Sequence, residues 1–200
     1  MCYITIVIAR RNIMPPKARI TEKEIIAAAV ELLRECGEES LNARALANKL
    51  GCSTQPIFSN FESMDSVYAA VIKAADDLYN EYLRQETKSG TYPAYKASGM
   101  GYIRFAREEK ELFKLLFMRD RSFEPMPLSF KPDPVVELIQ KTTGYSYEKA
   151  ERFHLEMWVA VHGIASMIAT NFLDWDMKMA SGVLSDIYFG LRARFDEVRE

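Results

Sequence analysis

Gln55 lies in the run Ser53-Thr54-Gln55-Pro56-Ile57-Phe58-Ser59-Asn60-Phe61, where apolar Ile57 and Phe61 stand four apart among small polar residues. On a helix that spacing turns Ile57 and Phe61 inward and leaves Thr54, Gln55, Pro56 and Ser59 on the outer face. A glutamine amide can donate to and accept from an adenine edge together, and Thr54 and Pro56 can meet a thymine methyl. Competing chemistry is sparse. His154 and His162 are the only histidines, about two turns apart on one helix. Glu151 and His154 form a single E-x-x-H, whereas a di-iron bundle needs two such pairs and two further glutamates. HExxH, P-loop and glycine-rich dinucleotide motifs are absent from the sequence. The expectation is a protein that is not an enzyme, with no catalytic residue, no metal site and no cofactor.

The elements that must position Gln55 follow from the residues around it. Asn42 suits the cap of a helix beginning at Ala43, and Leu46, Ala47 and Leu50 fall on one face of that helix. Gly51 then ends it through a left-handed turn. Ser53 is the expected cap of the next helix, which places Pro56 at the third helical position, where a missing amide hydrogen matters little. Ser40 to Phe61 therefore has the pattern of a DNA-reading helix-turn-helix. Ser40, Asn42, Arg44, Ser53, Ser59 and Asn60 are the phosphate candidates, with Lys17 or Arg19 from a preceding arm. The plain alternative is a short polar helix that is merely solvated.

Two hundred residues with 48% hydrophobic content can bury a sizeable core. No run approaches the roughly 18 apolar residues of a membrane span. Bulk net charge is −2 and does not point to nucleic acid. Residues 1–60 carry eight Lys or Arg against six Asp or Glu, net +2, and the remainder carries 18 against 22, net −4. The asymmetry has the sign that DNA would need at the N-terminal end. Cys2, Cys36 and Cys52 show no C-x-x-C spacing and, being three, cannot all pair within one chain, so a reducing cytoplasm is expected. The opening MCYITIVIARRN has its charges after the apolar stretch, the reverse of a secretory signal. Residues 1–13 read as an upstream extension, with Met14 opening a more ordinary start, the alternative being an edge strand or arm.

Residues 20–68 resemble the N-terminal domain of the TetR family of transcriptional regulators. The resemblance rests on the alanine-rich helix ITEKEIIAAAVELLRECG, the tight turn, and an ending of the form aromatic-x-His-Phe-x-Ser-Lys, met here by Phe58, Ser59, Asn60, Phe61, Glu62, Ser63 and Met64. The family's usual Tyr is Phe58, its His is Asn60 and its Lys is Met64. Phe58 lacks a hydroxyl and Met64 lacks a charge, whereas Asn60 can still donate to a phosphate oxygen. Phe58 and Asn60 join the DNA-binding set that the resemblance implies.

Beyond Phe61 the pattern is helical almost throughout. A long amphipathic helix is expected over 64–87, with Val67, Val71, Ala74, Ala75, Leu78 and Leu83 on its apolar side and Lys88, Ser89 and Gly90 ending it. Two helices over 92–118 meet at Arg107–Lys110, four charged residues with nothing to bury. Pro125, Pro127, Pro132 and Pro134 mark an extended connector, and a helix over 135–143 ends at Gly144. Two long helices are expected over 147–173 and 175–197. They carry a surplus of apolar residues, among them Leu155, Trp158, Val159 and Phe172 on the first and Met179, Val183 and Leu191 on the second, and such a surplus calls for a partner.

Trp158, His162 and Gly163, in WVAVHG, resemble the motif of a C-terminal subgroup of the same family named for those residues, as does YIRFAREEKELFKLLF. The motif has a bland explanation, with Gly163 allowing close helix approach, Trp158 filling core and His162 an interior imidazole. The sharper one places Phe105, Phe117, Met157, Trp158 and His162 around a small-molecule cavity. The resemblance implies an all-α chain of about nine helices. An arm (1–19) precedes a three-helix helix-turn-helix domain (20–66), which a long helix joins to an antiparallel ligand-binding and dimerisation domain (67–200). It also implies a homodimer formed by the two last helices, double-stranded DNA with a pseudo-palindromic operator, a small-molecule effector and no membrane partner. The competing function is a helical ligand- or protein-binding module that has lost specific DNA binding.

Overall fold

The computed structural model describes residues 20–120 and 134–197. The expectations for residues 1–13, Lys17, Arg19, Cys2 and the prolines at 125, 127 and 132 fall outside the described residues. Those described are helical, with nine α-helices and one 3-10 turn and no strand among them.

α1 (Glu22–Cys36) opens with a capping box in which the Glu24 amide donates to the Thr21 hydroxyl and the Thr21 amide donates to the Glu24 carboxylate. Its inner stripe is Ile25, Ala29, Leu32 and Leu33. Gly37 takes φ +78°, and the 3-10 turn Glu38–Ser40 leads to α2 (Ala43–Leu50) and α3 (Gln55–Asn60). α1 packs on α2, α3 and the first part of α4 (Met64–Ser89). With 26 residues, α4 is about 39 Å long. It starts from a reciprocal Ser63/Ser66 cap and stops at left-handed Gly90.

α5 (Ala94–Glu108) is the hub, packed on α4, on α6 (Lys110–Phe117), on α7 (Pro134–Thr143), on α8 (Tyr147–Ala169) and on α9 (Met177–Glu197). Ala97, Met100, Ile103, Phe105 and Ala106 of α5 are fully buried. Close approach in this core is made at Gly101, where an added Cβ would lie 3.2 Å from the Leu83 Cα on α4. Gly163 does not play that part, because a Cβ there meets nothing within 4 Å. Trp158 does not fill core either, being 40% exposed.

The charged run at the α5–α6 junction departs from its expectation, since every member has a partner. Arg107 donates to the Trp175 carbonyl at 2.7 Å, Glu108 accepts from the Tyr82 hydroxyl at 2.8 Å, and Lys110 meets the Asn171 side chain. Glu109 takes both arms of Arg34 on α1 at 2.7 Å. This fork–fork geometry ties the N-terminal helices to the centre of the C-terminal ones, and the hydrogen bond with Glu109 raises the pKa of Arg34.

Candidate functional site

The α2–α3 corner follows from local chemistry. Asn42 accepts from the Ala45 amide at 3.0 Å and caps α2. Gly51 has φ +64° and ψ +33°, a conformation that L side chains adopt at a cost. Bonds from Gly51 N to Asn48 O and from Cys52 N to Ala47 O close the turn. α3 starts one residue later than expected: Thr54, not Ser53, stands at its cap with helical φ and ψ and no side-chain bond, and Pro56 is the second helical residue. A proline at that point removes only an orphan amide. Ile57 is fully buried and Phe61 nearly so.

Around that buried pair, Gln55, Arg44, Asn42, Ser53, Phe58 and Ser59 are exposed, and Thr54, Pro56, Ser40 and Asn60 are half-buried. Hydrogen bonding separates them. The Ser40 hydroxyl donates to Gly37 O at 2.6 Å and the Ser59 hydroxyl to Gln55 O at 2.9 Å. Asn60 directs its amide group to Pro56 O at 2.7 Å and Ile20 O at 3.2 Å, so in this conformation it braces α3 against the start of α1. The amide nitrogen is thereby directed inward, whereas the sequence has it able to donate to a phosphate oxygen. Arg44 makes no ion pair among the described residues, in contrast to Lys49, which binds Glu35 at 2.9 Å and Glu31 at 3.6 Å. The outward groups thus include the Gln55 amide and the Arg44 guanidinium, with the Ser53 and Thr54 hydroxyls, which make no side-chain bond among the described residues.

A second feature lies in the C-terminal helices, a cavity of about 380 Å³ between α4, α5, α8 and α9 with Val135 of α7 at its edge. Met157 and Trp158 are among its lining residues. Phe105, Phe117 and His162 are not among its lining residues but form the layer behind. Phe105 and Phe117 pack on the Tyr79 ring with centroids 5.5 Å and 5.3 Å away, and Phe117 also packs on Tyr102 at 4.9 Å. His162 holds two lining residues at once, stacking on Trp158 at 5.1 Å and bonding the Tyr102 hydroxyl through Nδ1 at 2.9 Å. Burial lowers the His162 pKa and raises that of Tyr102, so both are neutral near pH 7. His154 lines the cavity and bonds the Tyr95 hydroxyl at 3.2 Å.

Sequence reasoning missed Tyr79, Tyr95, Lys96, Tyr102 and Tyr188 as lining residues. Tyr95 and Tyr102 are seven apart, two turns along one face of α5, which is a usable signal. Which helix that face meets is not written locally. Among the described residues no group of three or more His, Cys, Asp or Glu could hold a metal ion, and no helix is long and apolar enough to cross a membrane.

Residues 95–182 match the family model described as tetracyclin repressor-like, C-terminal domain. No curated protein matches the sequence. The fold is similar to that of a TetR-like transcriptional regulator from Rhodococcus sp. RHA1, with a TM-score of 0.65 and 18% identity over 88% of this chain and 96% of that one. It is also similar to that of a TetR protein from Acinetobacter baumannii AYE in complex with minocycline, with a TM-score of 0.55 and 17% identity over 90% of this chain and 99% of the other.

Proposed function

We propose that this chain, whose residues 95–182 match a tetracyclin repressor-like C-terminal domain and whose fold is similar to that of a TetR-like regulator, is a sequence-specific DNA-binding transcriptional regulator of the TetR family. The full reading is a homodimeric repressor whose hold on a pseudo-palindromic operator responds to a small molecule. The observation that carries it is the α2–α3 corner, where a capped helix, left-handed Gly51 and the buried Ile57 and Phe61 present Gln55 and Arg44 outward. Gln55 reads a base edge, and Arg44 is a phosphate contact common to all sequences.

Residues 20–66 form the reading head and 67–200 the effector and dimerisation part. Leu155 and Val159 on α8 and Phe189 on α9 are exposed apolar residues, and a second copy covers them. A two-fold pair of heads requires a pseudo-palindromic site. Coupling runs along α5, which lines the cavity through Tyr95, Lys96 and Tyr102 and ends where Glu109 holds Arg34 of α1. An effector shifts the spacing of the heads only by its differential affinity for the two states.

The test is fluorescence anisotropy on DNA from upstream of its own gene, at low and high salt, against random DNA. Gln55→Ala relaxes specificity at one position, by about 1–3 kcal/mol, and Arg44→Ala weakens all sequences alike and lowers the salt slope by about 1. Equal loss on specific and random DNA with Gln55→Ala removes that residue as a base reader. Absence of specific binding even at low salt favours a helical ligand- or protein-binding module, a reading that Phe58 without a hydroxyl and the inward amide of Asn60 support.

A further inference from the structure

The cavity carries one formal charge. Its walls are aromatic and aliphatic, among them Tyr79, Tyr102, Trp158, Val161 and Leu184, and no aspartate or glutamate lines it. Lys96 does line it, half-buried on α5. Two other partly exposed lysines have carboxylate partners, Lys49 with Glu35 and Lys114 with Glu111, whereas Lys110 meets the Asn171 side chain. Lys96 makes no ion pair among the described residues; its Nζ donates to the Ser185 hydroxyl at 2.7 Å and stands 5.0 Å from the Tyr92 ring centroid. An ammonium has three hydrogens to donate, and Ser185 takes one.

Several neutral polar groups of the wall are engaged within it. Ser185 passes its own hydrogen to Ser181 O at 3.0 Å, Ser98 donates to Tyr95 O at 2.7 Å, and the Tyr95 and Tyr102 hydroxyls bond the two histidines. The Tyr79 and Tyr188 hydroxyls, which make no hydrogen bond among the described residues, are neutral, so the one charged donor among the lining residues is Lys96. Aromatic walls alone also suit an organic cation, but an ammonium with no acid beside it repels one. A dianion would leave a negative charge uncompensated in a site with a single cation.

Resting on the reading of this cavity as the effector site, we infer that its ligand is an apolar monocarboxylate, held by aromatic packing along its body and by Lys96 at its charged end. A cavity of this volume takes a two-ring acid or a medium-length aliphatic one.

Three isosteric probes test this on the full chain: biphenyl-4-carboxylate, biphenyl-4-carboxamide and 4-phenylbenzylamine. The readout is quenching of Trp158, with Trp158→Phe to subtract Trp175. The carboxylate is expected to bind about tenfold or more tighter than the amide, and the amine weakest. Lys96→Met should weaken the carboxylate far more than the amide and so level the two, and Lys96→Arg should keep the preference; circular dichroism confirms that both variants fold. Equal affinity of carboxylate and amide, a preference that survives Lys96→Met, tighter binding of the amine, or no binding of any probe overturns the inference. DNA binding that ignores a bound carboxylate instead overturns the effector reading and leaves the charge preference standing. Probe-driven DNA release without charge preference does the reverse.

Discussion

The α2–α3 corner and the C-terminal cavity, the two candidate sites, are made of opposite materials. The corner is convex, its apolar residues hidden in a small core and its polar side chains outside, with Gln55 and Arg44 offered to solvent. The cavity is concave, with aromatic rings at its surface, and several of its polar groups bond one another, Lys96 being the one charged group among its lining residues. A surface of the first kind gains contact energy only when a partner of matching hydrogen bonds and charge arrives. One of the second kind gains it by removing apolar area from water. The corner depends on caps and one turn within about twenty residues. The cavity depends on helices that begin and end more than a hundred residues apart, from Tyr79 to Phe189.

Substitutions can pull this contrast apart. The largest effect is expected from Phe105→Ala, a fully buried ring behind Tyr79 and Tyr82. It should lower stability by about 3–5 kcal/mol in urea denaturation and abolish probe binding; a stability loss below 1 kcal/mol contradicts the layered cavity wall. Arg34→Ala removes the partner of a largely buried Glu109 carboxylate, only 13% exposed, and should lose about 1.5–3 kcal/mol. Its sharper readout is coupling: effector and DNA each still bind, but the effector no longer changes DNA affinity. Intact coupling in that variant would move the connection onto α4 alone.

Asn42→Ala removes the α2 cap and should lose about 0.5–2 kcal/mol. DNA affinity should fall with no change in biphenyl-4-carboxylate binding by titration, which confines the effect to the corner. The smallest effect depends on pH. Burial holds the folded His162 pKa below the ordinary 6.5, so the unfolded chain takes up a proton first as pH falls. The stability contributed by the neutral imidazole is present above 6.5 and is lost as pH falls through the lower folded value. His162→Asn should flatten that part of the stability profile between pH 7 and 5, measured by thermal melting, and an unchanged profile removes His162 as its cause.

The corner was largely readable in advance because its rules act over three or four residues. Asn42 caps and Gly51 turns left-handed as expected, and the start of α3 moved by only one residue, from a Ser53 cap to Thr54. What escaped there was the direction of side-chain bonds: whether Asn60 faces a phosphate or the Ile20 carbonyl depends on where α1 begins relative to α3. The cavity was readable only in its residue types. Phe105, Phe117 and His162 belong to the right neighbourhood but to the layer behind, since an aromatic residue on an apolar stripe has the same local signature in either layer. Lys96 gave no signal at all, because a lysine on an amphipathic helix reads as solvated until α9 brings Ser185 beside it. Likewise, Arg107 to Lys110 read as an unburied junction until α1, α4 and the α8–α9 corner supplied their partners.

Helix positions, caps, the Gly51 turn and the chemistry offered at Gln55 and Arg44 are properties of short stretches of chain, set by backbone hydrogen bonding and side-chain periodicity that act whatever lies elsewhere. The enclosure of a ligand-sized space, the unpaired state of Lys96 and the grip of Glu109 on Arg34 arise when remote helices pack, because burial and counter-charge are relations between elements. Gly101 makes the point in one residue: a glycine in a helix is a local weakness, and it becomes a contact only where the backbone of Leu83 comes close.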